Sequence, residues 1–189
     1  MDISINSYLT TTTAEGPGTR FCIWVQGCSI RCKGCANSHM WDRNKGRFFD
    51  VEEIVFLIEK WKDKIEGVTF LGGEPIDQIK AVTYIAKRVQ EMGLTVVVFT
   101  GYEFEKIKKQ TEELQKYTDI LIDGKFVEEK TDYSRPWVGS SNQNYYFLSD
   151  KYDESIFQKY RNKFEIRIDK NNQIFLNGMG DFKKLMKAF

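Results

Sequence analysis

Three of the four cysteines, Cys28, Cys32 and Cys35, fall within one window of eight residues. Their spacing, three residues and then two, lets one short loop wrap a compact centre and point three thiolates inward, as iron–sulfur ligation requires. A cubane cluster has four iron corners, so three cysteines leave one iron open to a ligand that is not protein. The loop therefore predicts a [4Fe-4S] cluster with one open coordination position.

Two other interpretations of the same loop stay open on the residues alone. The three cysteines and His39, the only histidine in the chain, also have spacings typical of a Cys3His zinc site. A disulfide is less favoured, because an odd cluster of cysteines without a secretion signal indicates a metal site rather than a crosslink. Cys22 alone remains outside the loop, so a second cubane is excluded, and its apolar surroundings predict a small buried core residue.

Charge and composition do not indicate a particular binding partner for this chain. It has 189 residues, 28 basic and 27 acidic side chains and a net charge of +1, and no long run of either sign indicates a nucleic-acid or membrane surface. The first twenty residues are polar and Thr-rich, and no later stretch has the length needed to span a bilayer. We therefore expect a cytoplasmic protein, whose thiols stay reduced.

Strand-like and helix-like segments alternate along most of the chain. An apolar run over residues 20–26 predicts a buried strand, and the cysteine loop begins where it ends. The alternation predicts an α/β fold with a parallel sheet and right-handed crossovers, curved into an incomplete barrel that is open along one side. Further predicted strands cover residues 67–71, 94–100, 119–122 and 145–148, and predicted helices cover 50–62, 76–92, 103–116 and 154–160.

The end of the chain has a different pattern. Residues 164–168 and 173–176 alternate as two strands around Asp169-Lys170-Asn171-Asn172, which predicts a β-hairpin, and residues 182–189 predict a terminal helix. The length fits one domain over residues 1–189, with a core over about 14–148 and a C-terminal extension over about 149–189.

Gly72-Gly73-Glu74-Pro75 follows the second buried strand directly, at its predicted carboxyl end. The two glycines would let the backbone approach a ligand closely, and the carboxylate could receive an ammonium group. The plainer interpretation is a glycine-rich turn in which Glu74 and Pro75 start a helix. The turn alone does not decide between them.

Taken together, the cysteine loop and the Gly-Gly-Glu-Pro turn resemble the radical S-adenosylmethionine enzymes. Within them, the chain over residues 14–143 resembles the activating proteins of anaerobic ribonucleoside-triphosphate reductases, a family of glycyl-radical activating enzymes. Asp-Gly-Lys-Phe at 123–126 and Gly-Ser-Ser-Asn-Gln at 139–143 are the most family-specific segments. The other segments that carry the resemblance are residues 16–20, 24–28, 34–37 with Trp41, 100–102 and 119–122.

The resemblance implies an open barrel of the radical S-adenosylmethionine type that cleaves this cofactor reductively and makes a glycyl radical on its partner. Cys28, Cys32 and Cys35 would hold the [4Fe-4S] cluster. The glycine-rich turn would receive the amino group of the cofactor, and no protein acid, base or nucleophile is required. The residues implied as cofactor contacts are Gly34, Cys35, Ala36, Asn37, Gly72, Gly73, Glu74, Thr100, Asp123 and Lys125.

The implied partners are the large subunit of an anaerobic ribonucleotide reductase and an electron donor such as flavodoxin or ferredoxin. No role is implied for residues 144–189, which extend beyond the short members of the family. A radical S-adenosylmethionine enzyme acting on another peptide or protein is the alternative within the superfamily. A Cys3His zinc structural or interaction module is the alternative from another class.

Overall fold

The computed structural model describes residues 1–181, which form a seven-stranded mixed sheet, a separate two-stranded sheet and short helices. The helix predicted over residues 182–189 lies outside the described residues. The strands of the described chain are β1 (Asp2–Thr12), β2 (Arg20–Val25), β3 (Arg47–Asp50), β4 (Gly67–Gly72), β5 (Thr95–Phe99), β6 (Ile120–Asp123), β7 (Asn144–Phe147), β8 (Phe164–Ile168) and β9 (Ile174–Gly178).

The large sheet has the strand order β3-β1-β2-β4-β5-β6-β7. Its four central strands, β2, β4, β5 and β6, are parallel neighbours, as the strand and helix alternation predicts. The expectation of a parallel sheet is wrong at both margins, where β1 pairs antiparallel with β2 and β3, and β7 pairs antiparallel with β6. The reason at the first margin is that β1 reaches β2 through a short turn, which has no room for a crossover helix.

The helices that cover the sheet are α1 (Val51–Glu59), α2 (Ile79–Glu91), α3 (Phe104–Ile107), α4 (Glu112–Gln115) and α5 (Ile156–Lys159). The Asp50 side chain caps α1 by accepting from the amide of Glu52 at 2.9 Å. A 3-10 turn, Pro75–Gln78, leads into α2. Among the described residues no helix is both long and apolar enough to cross a membrane.

The single helix predicted over residues 103–116 is wrong, because the chain forms two short helices there, α3 and α4. The hydroxyl of Thr111 donates to the carbonyl oxygens of Ile107 at 3.0 Å and Lys108 at 3.3 Å. The side-chain amide of Gln115 donates to the same Lys108 oxygen at 2.6 Å. Side chains that satisfy backbone carbonyls in this way compete with regular helix formation, which explains the break.

The two faces of β2 have different surroundings. Phe21, Ile23 and Val25 belong to the main apolar core with α1 and α2. Cys22 and Trp24 point to the other face, where Met40 packs beside them. Cys22 is fully buried, which confirms its prediction as a core residue.

The C-terminal residues of the described chain form a second sheet, in which β8 pairs antiparallel with β9. Asn172 adopts a φ of 59° in the connecting turn, a conformation that Asn tolerates better than most residues. The carboxylate of Glu165 accepts from the Thr12 hydroxyl at 2.8 Å and the Thr13 amide at 2.7 Å, so β8 is held at the end of β1. Strand order and pairing do not define curvature, so the open barrel stays a prediction, as does the division at about residue 148.

Candidate functional site

The loops that follow the four parallel strands meet at one edge of the sheet, because the carboxyl ends of parallel strands lie together. The cysteine loop, residues 27–37, follows β2. A Cβ atom placed on Gly101, after β5, would lie 2.7 Å from Cδ1 of Ile30. A Cβ atom placed on Gly34 would lie 3.2 Å from Cδ of Glu128, after β6. The cysteine loop therefore packs against two neighbouring loops of the same edge.

The three predicted ligands are partly buried cysteines with free thiols. Backbone bonds fix both ends of the loop, since the amide of Cys28 donates to the carbonyl of Trp41 at 3.1 Å and the amide of Cys35 donates to that of Cys32 at 3.3 Å. Gly34 adopts a φ of 72°, a left-handed conformation that favours glycine. The chain can therefore reverse its direction between the second and third cysteines.

Burial and backbone amides act in opposite directions on two of these thiols. Burial raises the pKa of Cys28, while the backbone N–H groups of Arg31 and Ile30 oppose that rise. Burial likewise raises the pKa of Cys32, and the backbone N–H of Phe126 opposes it. Backbone N–H groups near a thiolate favour its charged form, which is the form that binds iron.

Three cysteines in one short loop fit the ligand set of an iron–sulfur cluster. Within residues 1–181, no group of three or more His, Cys, Asp and Glu side chains converges closely enough to hold one metal ion. A tetrahedral zinc site needs that convergence, because each Zn–S bond is about 2.3 Å long. A cubane spreads three thiolates over three irons, so its ligands do not have to meet at one point.

His39, the fourth ligand in the zinc interpretation, has an exposed side chain in the 3-10 turn Ser38–Met40. Its backbone carbonyl accepts from the side-chain amide of Gln26 at 3.1 Å. His39 makes this contact through its backbone. This contact helps to close the base of the loop.

The Gly-Gly-Glu turn is attached to the start of the cysteine loop. The amide of Gly73 donates to the carbonyl of Val25 at 2.8 Å, and the amide of Glu74 donates to that of Gly27 at 2.8 Å. Gly72 adopts a φ of 101°, as expected for a glycine in this turn. These glycines bring the turn close to the backbone that precedes Cys28. Their close approach to a ligand stays a prediction.

Glu74 is 1% exposed, and its carboxylate accepts three hydrogen bonds from the protein. The amide of Ile76 donates at 2.9 Å and the hydroxyl of Thr100 at 2.8 Å to Oε1, and the amide of Gly101 donates at 2.8 Å to Oε2. Burial raises its pKa to about 7, and these three donors oppose the rise. The plainer interpretation of Glu74 as a helix-starting residue is confirmed, since it caps the 3-10 turn Pro75–Gln78.

A carboxylate has about four lone-pair positions, so three protein donors leave Glu74 room for one further donor. Thr100 lies beside it and is 4% exposed. The two side chains join the turn after β4 to the turn after β5. Their contact with a cofactor stays a prediction.

Asp123 and Lys125 differ in where their side chains lie. Asp123 is 2% exposed and accepts from the amide of Phe104 at 2.7 Å and from the side chain of Asn144 at 3.0 Å, so it ties β6 to α3 and β7. The Lys125 side chain is exposed. Its positive charge acts to lower the pKa of Cys32. Of this pair, Lys125 is the residue whose charge acts on the cysteine loop.

The remaining predicted contacts lie on the same loop as the cysteines. Ala36 is exposed, and Asn37 is partly buried with its carbonyl accepting from the amide of Met40 at 2.9 Å. A cleft of about 290 Å³ opens beside Cys28, with Arg31, Arg43 and Asp77 among its lining residues. Neither the Gly72-Gly73-Glu74 turn nor Thr100 is among the residues that line this cleft.

Two buried glutamines hold the base of the cysteine loop and were missed as site residues by the sequence reasoning. Gln26 donates to the carbonyl of Asp42 at 2.8 Å, and Gln78 donates to that of Gln26 at 3.0 Å and of Ser4 at 2.9 Å. Both side chains are nearly inaccessible to solvent. The signal for Gln26 was a polar residue at the end of an apolar strand, directly before Gly27 and Cys28.

The part of the chain that forms this edge is similar in sequence to known proteins. A family model described as "4Fe-4S single cluster domain" matches residues 14–146. A protein of Haemophilus influenzae named anaerobic ribonucleoside-triphosphate reductase-activating protein is 35% identical over 143 residues, 72% of this chain and 92% of the relative. Proteins of the same name from Vibrio cholerae and Escherichia coli K12 are each 32% identical, over 75% of this chain and 96% of each relative.

Proposed function

Because this chain belongs to the family of anaerobic ribonucleoside-triphosphate reductase-activating proteins, we propose that it is a radical S-adenosylmethionine enzyme that generates a glycyl radical on such a reductase. The observation that carries the proposal is the attachment of the cysteine loop to the Gly-Gly-Glu turn through Glu74 and Gly27. This attachment places the predicted cluster ligands and the predicted cofactor turn side by side. A metal module without a cofactor would not need that arrangement.

Cys28, Cys32 and Cys35 would hold a [4Fe-4S] cluster, whose fourth iron is left for S-adenosylmethionine. With an electron from the donor, the bound cluster and S-adenosylmethionine would supply one-electron cleavage of the cofactor and removal of a hydrogen atom from a glycine of the partner. The protein would orient the reactants and exclude water and oxygen. Orientation favours the reaction because less entropy is lost when the reacting groups meet. It needs no acid, base or nucleophile for this chemistry.

The proposed cofactor seat lies where the loops after β4, β5 and β6 meet the cysteine loop. Gly72, Gly73 and Glu74 would receive the amino group of S-adenosylmethionine through the turn and the remaining lone pair of the carboxylate. Thr100 orients Glu74 from the next loop. The other proposed contacts are Gly34, Cys35, Ala36, Asn37, Asp123 and Lys125, of which Asp123 already has protein partners for its side chain.

The proposed fold is an incomplete barrel, made by curving the mixed sheet so that one side stays open. A glycine inside a folded partner can reach the radical only if a loop of that partner enters, and an open side would admit such a loop. We propose the large subunit of an anaerobic ribonucleotide reductase as this partner, with a flavodoxin or ferredoxin as electron donor. Since the thiols must stay reduced, we place the reaction in the cytoplasm.

The first test is anaerobic reconstitution followed by iron, sulfide and zinc analysis. We expect about four irons and four sulfides per chain. Cys28→Ala, Cys32→Ala and Cys35→Ala should each lose the cluster, while Cys22→Ala, which changes the one cysteine outside the loop, should keep it. One zinc and no iron would overturn the proposal in favour of a zinc module, and His39→Ala would then remove the zinc.

The second test measures products. The reduced, reconstituted protein should form 5′-deoxyadenosine from S-adenosylmethionine, and electron paramagnetic resonance should show a glycine-centred doublet on the reductase. No 5′-deoxyadenosine even with the partner present would reject the enzyme assignment. Normal cofactor cleavage without the doublet would mean that another peptide or protein is the substrate.

The outcome in which another peptide or protein is the substrate is favoured by one feature of the chain. The family model ends at residue 146, and the hairpin of β8 and β9 lies wholly beyond it. An added element of this kind could recognise a different peptide or protein. A radical S-adenosylmethionine enzyme with another protein substrate is therefore the second candidate function.

A further inference from the structure

Asp77 makes the side-chain contact that holds the residue after the first predicted ligand. Its Oδ2 accepts from the backbone amide of Ser29 at 2.7 Å. Its Oδ1 accepts from the hydroxyl of Ser29 at 3.0 Å and from that of Tyr102 at 2.8 Å. The two hydroxyl oxygens are also 2.7 Å apart, so the three side chains form a closed network.

This network joins three loops of the carboxyl edge. Ser29 follows Cys28 in the cysteine loop, Asp77 lies in the 3-10 turn Pro75–Gln78 that Glu74 caps, and Tyr102 lies in the loop after β5. Each loop supplies a different predicted part of the site: a cluster ligand, the Gly-Gly-Glu turn and the Thr100 segment. The network therefore links the positions of the three loops at an exposed part of this edge.

Backbone contacts hold Cys28 from its N-terminal side. Its own amide donates to Trp41, and the carbonyl of Gly27 accepts from Glu74. On its C-terminal side, the strong fixed contact of the next residue is the bond from the Ser29 amide to the Asp77 carboxylate. A hydrogen bond to a carboxylate is stronger than one between neutral groups, so Asp77 is well suited to fix this point.

We propose that Asp77 is a positioning residue, which fixes the Cys28 thiol relative to the Gly-Gly-Glu turn through Ser29 and Tyr102. The inference rests on the proposed function, because it assumes that Cys28 is a cluster ligand. Groups that orient a metal ligand from behind commonly change metal affinity or activity by about 10–100-fold when they are removed. A carboxylate near a cluster also lowers its reduction potential, since it disfavours the added electron.

The two effects can be separated by substitution at the same position. Asp77→Asn removes the charge but keeps an oxygen that can accept from the Ser29 amide. Asp77→Ala removes both the charge and the contact. Glu128→Gln is the matched control. Glu128 is an exposed acid beside the same loop, but its carboxylate pairs with the exposed side chain of Lys33 at 3.9 Å rather than with the backbone of the loop.

The experiment uses the reconstituted full chain and two readouts besides activity. The first is the rate at which an iron chelator removes the cluster, and the second is the electron paramagnetic resonance spectrum of the reduced cluster with and without S-adenosylmethionine. We expect Asp77→Ala to lose iron about 10–100-fold faster and to change the spectrum with cofactor. Asp77→Asn and Glu128→Gln should keep a near wild-type rate of iron loss.

A redox titration then tests the charge. Asp77→Asn should shift the midpoint potential to a more positive value, and Tyr102→Phe should leave it nearly unchanged while it weakens the network. Thermal unfolding of each apo variant checks folding. If Asp77→Ala does not fold, Ser29→Ala combined with Tyr102→Phe replaces it, because this pair removes the two hydroxyl contacts of Asp77. A changed spectrum with cofactor would then support the proposal, and an unchanged one would reject positioning through these two side chains.

The outcomes distinguish this proposal from the proposed function. If the wild-type chain takes up no iron, the proposed function itself fails. If the wild type loads a cluster but the Asp77 variants match it in iron loss, spectrum and potential, the positioning role is wrong and the proposed function stands. Equal shifts of potential in Asp77→Asn and Glu128→Gln, with normal iron loss in Asp77→Ala, would also reject positioning and leave only a general charge effect.

Discussion

A Cβ atom placed on Gly73 would lie 2.3 Å from the carbonyl oxygen of Gly27, the residue directly before the first predicted cluster ligand. The same carbonyl accepts the amide of Glu74 at 2.8 Å. The turn after β4 and the start of the cysteine loop are thus in backbone contact. Any side chain at position 73 would push the two loops apart.

Gly73→Ala should therefore destabilise the protein and weaken cluster binding. The obstacle is a backbone atom that hydrogen bonds hold in place, so it cannot move aside as a flexible side chain would. Overpacking of this kind typically costs about 1–3 kcal/mol. Chemical denaturation of the apo chain and iron content after reconstitution measure the two effects.

Gly93→Ala is the matched control for Gly73→Ala. Gly93 has a φ of 77° with nothing within 4 Å of a placed Cβ atom, so a substitution there strains the backbone without crowding a neighbour. It should cost about 1–2 kcal/mol and leave the iron content unchanged. Equal iron loss in both variants would show that general destabilisation, rather than the contact with Gly27, controls cluster binding.

Glu74→Gln should lower stability even though it removes a buried charge. Both carboxylate oxygens accept backbone amides, from Ile76 and Gly101, so the NH2 group of Gln would face a donor in either orientation. A buried polar group left without its partner costs about 1–3 kcal/mol. Urea unfolding compares this variant with Glu53→Gln on the exposed face of α1, which should be near neutral. An unchanged midpoint for Glu74→Gln would mean that the turn rearranges.

Glu15 should make stability fall as the pH rises through the neutral range. It is 4% exposed, and burial raises its pKa from 4.5 to about 7, with Asn177 and Gly178 opposing and Glu165 adding to the rise. The folded chain therefore binds more protons than the unfolded chain between these values, so the free energy of unfolding decreases with pH, by at most about 1.4 kcal/mol per unit.

Unfolding in urea at pH 5, 6, 7 and 8 measures this dependence. Glu15→Gln should flatten the decrease, and the part that remains is expected from Glu74, whose pKa is also raised to about 7. Cys22 lies close enough for Glu15 to raise its pKa, so the measurements stay at or below pH 8. A slope that is the same in Glu15→Gln and wild type would contradict the assignment.

Glu165 should control the attachment of the C-terminal hairpin to β1. Its carboxylate accepts from Thr12 and Thr13 and forms an ion pair with Arg167 at 2.9 Å. Burial raises its pKa, but these donors outweigh burial and lower it to about 2, so the contact should persist above pH 4.5 and weaken below it. Glu165→Ala should speed hydrogen exchange in β9 at neutral pH. Asp150→Asn, at an exposed position, should leave hydrogen exchange in β9 unchanged. Unaltered exchange in both variants would contradict the attachment of the hairpin by Glu165.

Much of the site was predictable because its signals are local in the chain. The cysteine spacing, the glycine-rich turn and the alternation of apolar strands with amphipathic helices each occupy a short window. They place the cysteine loop after β2 and the Gly-Gly-Glu turn after β4, as the structure has them. The break between α3 and α4 was missed, because the charged periodicity there fits a helix and the competing bonds of Thr111 are not visible in it.

The sequence by itself determined which residues could carry the chemistry, because residue type and spacing decide what a loop can ligate. Only the tertiary structure decided what holds those residues. The amide of Ser29 and the carboxylate of Asp77 are 48 positions apart, and the hydroxyls of Ser29 and Tyr102 are 73 apart. Such pairs meet because parallel strands bring their carboxyl ends to one edge in a given register, and that register depends on packing across the whole sheet.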